Sequence, residues 1–103
     1  MKPVKVLPIA EKEFGEEVAW YRERDPRVAS RFSSEVRQAL TLLESYPGIG
    51  SRVPGVLDSA VRRMPVHKFP YHIVFLDLGN VLEVVAFAHY RRRPTYFLDR
   101  ISF

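Results

Sequence analysis

Apolar and polar positions divide the chain into a helical first half and a strand-like second half. Residues 4–7 form a short β-branched run between two prolines, which predicts one edge strand. Apolar side chains then recur at helical spacing and predict a first helix over residues 10–24. Asp25 followed by Pro26 is typical of a helix start, and the apolar stripe behind it predicts a second helix ending near Ser45. Because the connection is so short, we expect an antiparallel helical hairpin.

The remainder of the chain carries strand patterns. Residues 46–59 are rich in glycine and proline and lack periodicity, so they are predicted to form a long loop. Residues 61–66 alternate loosely, and residues 71–78 and 81–89 are nearly continuous apolar runs, which are typical of central strands. The glycine–asparagine pair at 79–80 between those runs predicts a two-residue hairpin turn.

The hairpin turn fixes an expected register. It sets His72 opposite Phe87 and brings His89 close to Pro70, at the far end of the hairpin. No repeat, linker or low-complexity segment interrupts the chain, so residues 1–103 are predicted to form a single domain. The predicted fold class is α+β, with an N-terminal strand, an α-helical hairpin, a three-stranded antiparallel sheet and a short C-terminal segment.

Composition limits the chemistry and locates the charge. The chain has no cysteine, which excludes disulfides and thiolate metal sites. It lacks an apolar run of membrane-spanning length and the residue order of a signal peptide, so we expect a cytoplasmic protein without membrane contact. The net charge is +4, and because residues 1–51 are balanced, the whole excess lies in residues 52–103. Nearly all of the basic residues there are arginines, which suit bidentate contact with phosphate or carboxylate.

Two basic clusters and an aromatic tail are the candidate binding residues. The clusters flank the predicted hairpin, and together with the tail they comprise Arg62, Arg63, His67 and Lys68, then His89, Arg91, Arg92 and Arg93, and finally Tyr96. Arg62 and Arg63 are neighbours on a strand, so their side chains should point to opposite faces. The alternative for the arginines is a solvated position or an ion pair with acids of the helical hairpin. Tyr96 is open between a partner contact and packing, whereas Phe97 is expected to pack.

Histidine is the natural candidate for acid–base chemistry. His89 ends a strand beside the arginines and is the strongest of the three, whereas His72 lies within an apolar run and is expected to pack. His67 precedes a bend and is expected to be exposed. No two histidines have the spacing of helix ligands, and no glycine-rich phosphate loop is present, so neither a metal nor another cofactor is predicted.

Several short stretches, taken in order, resemble the RelE/ParE superfamily of type II toxin–antitoxin toxins. They run over nearly the whole chain and comprise Ala19-Trp20-Tyr21, Arg31-Phe32, Glu35-Val36, Pro47-Gly48, Val61-Arg62-Arg63, Phe69-Pro70-Tyr71-His72-Ile73-Val74-Phe75, Ala86-Phe87-Ala88-His89, Arg92, Pro94, Tyr96 and Arg100. The resemblance implies the same strand–helix–helix–sheet fold and a cognate antitoxin as partner.

The resemblance leaves two targets open. RelE-like members cleave messenger RNA on the ribosome without metal, and here that activity would use Arg63, His67, Lys68, His89, Arg91 or Arg92, and Tyr96. ParE-like members poison DNA gyrase by binding, and here target binding would use Arg62, Arg63, Lys68, His89, Arg91, Arg92, Arg93 and Tyr96. The stretch Phe69-Pro70-Tyr71-His72 is similar to ParE-like members and carries His72 where RelE-like members have arginine, so the ParE-like function is favoured. A third alternative is an inactive toxin-like module that only binds a partner.

Overall fold

The computed structural model describes residues 2–93 and 95–101 and confirms the α+β class. Two helices precede most of a five-stranded sheet, in the order β1 (Val4–Val6), α1 (Pro8–Arg24), α2 (Pro26–Ser45), β2 (Ser51–Arg52), β3 (Val61–Pro65), β4 (Tyr71–Asp77), β5 (Leu82–His89) and a short 3₁₀ turn (Leu98–Arg100). The strands lie side by side as β1-β5-β4-β3-β2. Strand β1 is parallel to β5, and the other pairs are antiparallel.

The helical hairpin forms where the sequence predicts it. The side chain of Asp25 accepts a hydrogen bond from the backbone N–H of Arg27 at 3.0 Å, which caps α2. Helix α1 starts at Pro8, two residues earlier than predicted, because proline is well suited to the first position of a helix. The rings of Phe14 and Tyr21 on α1 lie 5.7 and 5.2 Å from the ring of Phe32 on α2. These aromatic contacts hold the two helices together.

The predicted loop contains a further strand, so the expectation of three antiparallel strands was wrong. The two residues of β2 pair with β3, because the chain before them is drawn against the sheet at Gly50. The guanidinium of Arg62 donates two hydrogen bonds to the carbonyl of Gly50, at 3.1 and 2.6 Å. A Cβ at this glycine would lie 2.5 Å from Cζ of Phe75, so the close approach requires glycine. A two-residue strand has too short a pattern to be recognised from sequence.

A β-bulge changes the predicted register of the hairpin. The turn at residues 79–80 is confirmed, since Leu78 N–H donates to the carbonyl of Val81 at 3.0 Å. However, the register shifts by one residue at Val85, and His72 pairs with Ala88 instead of Phe87. The predicted position of His72 was therefore wrong. His89 pairs with Tyr71, one residue beyond the predicted neighbour Pro70.

Apolar side chains pack on both faces of the sheet. The helices cover one face, where Phe32 contacts a cluster that includes Ile73 and Phe75. The opposite face, here called the back face, carries a second cluster of Val53, Val56, Val61, Val74, Leu76, Val85, Ala86, Phe97 and Ile101. The C-terminal segment covers part of the back face, which confirms that Phe97 packs. Neither of the described helices is long and apolar enough to cross a membrane.

Candidate functional site

Strand β3 separates the two neighbouring arginines of the first cluster. Arg62 lies opposite Phe75, whose side chain belongs to the helix-side core, and its guanidinium is bound to the Gly50 carbonyl. Arg63 lies opposite Val74, which belongs to the back face. The predicted opposite orientation is confirmed, and it follows from the two-residue period of a strand. Only Arg63 is available to a ligand on the back face.

A small cleft on the back face collects several of the predicted residues. Its volume is about 90 Å³, and its walls are Val53, Arg63, His72, Val74, Ala88, His89, Tyr90, Arg92, Arg93 and Phe97. We call it the arginine cleft. None of these lining residues is acidic, and within the described residues the guanidinium groups of Arg63 and Arg93 form neither an ion pair nor a hydrogen bond. Three arginines around an apolar floor favour an oxyanion ligand, because their charges are not neutralised by the protein itself.

The segment after β5 sets the position of Arg92. Its guanidinium lies 4.1 Å from the centre of the Tyr96 ring, in a cation–π contact. The hydroxyl of Tyr96 donates a hydrogen bond of 2.7 Å to Glu13 on α1. Burial and this bond to a carboxylate raise the pKa of Tyr96, so its proton is firmly held. Tyr96 therefore both packs and supports Arg92.

His72 is the histidine whose neighbours lie within the arginine cleft. Its ring is 4.6 Å from the ring of Tyr90, and it is half-buried. Burial, with a smaller effect of the Arg63 charge, lowers the pKa of His72. The imidazole is consequently neutral at physiological pH, and its contribution to the cleft is a packed ring rather than a charge. The expectation that His72 packs is in agreement with these contacts.

The side chain of His89 lies on the other side of the strand. Its ring stands edge-on to Tyr71 at 5.0 Å, and Tyr71 belongs to the helix-side core, where its hydroxyl donates to Glu17. Burial and the bond to Glu17 raise the pKa of Tyr71. The Nδ1 atom of His89 accepts a hydrogen bond from the backbone N–H of Arg91 at 3.0 Å. His89 therefore reaches only the edge of the arginine cleft, with one ring nitrogen already engaged.

His67 and Lys68 lie apart from the arginine cleft, because the β3–β4 turn carries them towards α2. His67 is found in a groove with Gln38 and Leu42 of that helix. Lys68 adopts a positive φ of 68° and neighbours Arg31 in a second groove. The predicted residues thus fall into separate groups, with Arg63, Arg92 and Arg93 together.

Several residues of the site were missed at the sequence level. Val53, from the loop before β3, forms part of the cleft floor, and Glu13 holds Tyr96 from a helix more than 80 positions away in the chain. The alternative of ion pairs to the helical hairpin is realised by Arg100 with Glu13, at 2.8 Å. Pro94, which contributes to the resemblance, lies outside the described residues. Among the described residues, no group of three or more histidine, aspartate or glutamate side chains could hold a metal ion.

Comparison with known proteins identifies the family. A family model described as the ParE toxin of the type II toxin–antitoxin system parDE matches residues 4–94. The chain belongs to the ParE toxin family. A solved chain of the chromosomal ParDE toxin–antitoxin system from P. aeruginosa shares the fold, with a TM-score of 0.72 and 16% sequence identity, covering 86% of this chain and 96% of the other. No curated protein matches the sequence.

Membership in the ParE family confirms the superfamily and the ParE-like assignment that the sequence favoured. The chain is a toxin of a type II toxin–antitoxin system, and an antitoxin is the partner that this membership implies. The five-stranded sheet and helical hairpin agree with the ParE-like fold of the solved chain. Membership leaves the target and the residues that contact it to be argued from the arginine cleft.

Proposed function

We propose that this ParE-family toxin inhibits growth by binding and poisoning DNA gyrase through the arginine cleft. The observation that carries the proposal is the grouping of Arg63, Arg92 and Arg93 around one cleft that contains no carboxylate. Such a site attracts an acidic group of the target and fixes it by bidentate contacts. Binding of this kind requires no general base.

The positions of the acid–base candidates favour binding over RNA cleavage. Cleavage would need a base for the 2′-hydroxyl and an acid for the leaving oxygen, both facing the same phosphate. His89 turns its ring towards Tyr71, and the Tyr96 proton is committed to Glu13. His67 and Lys68 lie beside α2. The arginine cleft is therefore better equipped to hold an anion than to transfer protons around it.

The proposed setting is the cytoplasm, where a cognate antitoxin forms a hetero-oligomer with the toxin and prevents its action. The antitoxin contributes an acidic, partly disordered segment that folds on binding, because the basic half of the toxin favours acidic partners. Co-expression of the antitoxin should restore growth that the toxin alone arrests. Normal growth with folded, soluble toxin would instead support the inactive binding module.

Two purified assays separate the targets. Gyrase supercoiling should be inhibited by the wild-type toxin, whereas messenger RNA on translating ribosomes should stay intact. Arg93→Ala should weaken the inhibition, and Arg22→Ala provides a control, because Arg22 is an exposed arginine on α1 away from the arginine cleft. RNA cleavage that disappears in His72→Gln or Arg92→Ala would overturn the gyrase proposal in favour of the RelE-like function.

A further inference from the structure

One carboxylate on α1 connects three distant parts of the chain. Glu13 Oε1 accepts hydrogen bonds from the backbone N–H of Phe87, at 3.1 Å, and from Arg100 Nη1, at 2.8 Å. Glu13 Oε2 accepts from the hydroxyl of Tyr96, at 2.7 Å, and from Arg100 Nη2, at 3.1 Å. The side chains of Glu13 and Arg100 are only 17% and 12% exposed. A carboxylate with four donors in a half-dry environment has a closely defined position.

The same contacts tie the C-terminal segment to the bulge in β5. Arg100 Nη1 also donates to the carbonyl of Val85, the extra residue of the bulge, at 3.0 Å. Its guanidinium lies 5.1 Å from the centre of the Tyr96 ring. Tyr96 is therefore fixed at its hydroxyl by Glu13 and at its ring by the neighbouring guanidinium. The segment that bears it is held to both helix α1 and strand β5.

The ring of Tyr96 transmits this order to the arginine cleft. Arg92 is on the exposed surface, and an arginine side chain there would sample many rotamers without a contact. Its guanidinium instead lies over the Tyr96 ring at 4.1 Å while the residue lines the cleft. A cation held before the ligand arrives loses less conformational entropy on binding.

We propose that Glu13 is a positioning residue for target binding, which acts through Tyr96 to hold Arg92 at the arginine cleft. The inference rests on the proposed function for its biological readout, although the position of Arg92 can be measured without any target. Glu13 itself lies outside the residues that line the cleft. Its effect on binding should therefore depend on the presence of Arg92.

Helix α1 offers a matched control for the loss of a buried acceptor. Glu17 lies one turn after Glu13 and accepts the hydroxyl of Tyr71, so Glu17→Gln also weakens a carboxylate–tyrosine bond between α1 and the sheet. Neither Glu17 nor Tyr71 lines the arginine cleft. Any consequence of merely weakening the attachment of α1 should therefore appear equally in Glu17→Gln and Glu13→Gln.

The first measurement is the side-chain Nε–H resonance of Arg92 in the folded protein. The nearby Tyr96 ring shifts this resonance in the wild type, and Glu13→Gln should move it towards the value of a free arginine, while Glu17→Gln leaves it unchanged. Tyr96→Phe keeps the ring but removes its bond to Glu13, and it should move the resonance in the same direction. An Arg92 resonance unaffected by both Glu13→Gln and Tyr96→Phe would overturn the proposal.

The second measurement is a double-mutant cycle on inhibition of gyrase supercoiling. Glu13→Gln should weaken inhibition roughly tenfold in the wild-type background, because the cation–π contact no longer holds Arg92 in place. In the Arg92→Ala background it should have almost no further effect. An equal loss in both backgrounds would overturn the positioning role. If the wild-type toxin fails to inhibit gyrase, the proposed function is wrong, and the Arg92 resonance alone decides the role of Glu13.

Discussion

Alanine at Arg63 or at Arg62 removes the same charge from adjacent positions, yet the two variants should behave in opposite ways. Arg63 faces the arginine cleft on the back face and has no protein acceptor within the described residues. Arg62 faces the helix side and donates two hydrogen bonds to the Gly50 carbonyl. Arg63→Ala should therefore weaken target binding, whereas Arg62→Ala should weaken the fold.

The expected sizes follow from these contacts. A half-buried arginine that binds an acidic group of a partner contributes about 2 kcal/mol, so Arg63→Ala should raise the concentration needed for inhibition roughly 30-fold. Its effect on stability should stay within about 0.5 kcal/mol, since it loses no bond within the described protein. Arg62→Ala loses a charged donor pair to a carbonyl, which is worth about 1 kcal/mol, or about 4–8 °C in Tm for a domain of this size.

The assay pairs thermal unfolding with gyrase supercoiling for both variants, at equal concentrations of folded protein. Salt should weaken inhibition by the wild type more than inhibition by Arg63→Ala, because one charge contact is missing from the variant. The reasoning would be refuted if Arg62→Ala lost inhibition as strongly as Arg63→Ala at a temperature where both are folded. It would also be refuted if Arg63→Ala lowered Tm by the amount expected for Arg62→Ala.

Three further substitutions test the fold and its pH dependence. Gly50→Ala should lower the free energy of unfolding in urea by about 1–3 kcal/mol, because its Cβ meets the buried Phe75 ring at 2.5 Å, and Gly48→Ala, with open space, should not; equal midpoints would contradict this. Asp25→Ala should cost about 1 kcal/mol by the same assay and Asp25→Asn much less, because asparagine keeps a capping oxygen; equal losses would exclude the cap. Because the pKa of His72 is lowered in the folded protein, the unfolded chain binds the proton more readily, and Tm should fall as the pH decreases through about 6.5. His72→Gln should flatten that fall between pH 8 and pH 5, and an unchanged profile would refute the assignment.

The elements that the sequence predicts well are those with local causes. Asp25 and Pro26 begin α2 through a cap and a fixed φ, and both act within a few residues of the chain. The turn at residues 79–80 is equally local, with a φ of 92° at Gly79. The opposite orientation of Arg62 and Arg63 needs only the period of a strand. Each of these features was predictable without knowledge of the tertiary structure.

The remaining features depend on contacts between distant residues. Strand β2 exists because Arg62 binds the carbonyl of Gly50 twelve positions earlier, and nothing near residue 51 indicates it. The position of His89 depends on a bulge that apolar residues on both sides conceal. Glu13 resembles the other acids of α1 until the fold brings Arg100 to it. The arginines of the site were therefore identifiable from the sequence, but the way in which they group was not.

The bulge in β5 also determines how the chain should be aligned with its relatives. Val85 and Ala86 both belong to the back face, so the strand absorbs one residue and the order of faces continues unchanged beyond it. A relative with a regular strand would have one residue fewer between the turn and the arginines and yet present the same surfaces. An alignment without a gap at Val85 would match His89 to a residue of the opposite face. A histidine that packs against Tyr71 would then be mistaken for a catalytic one.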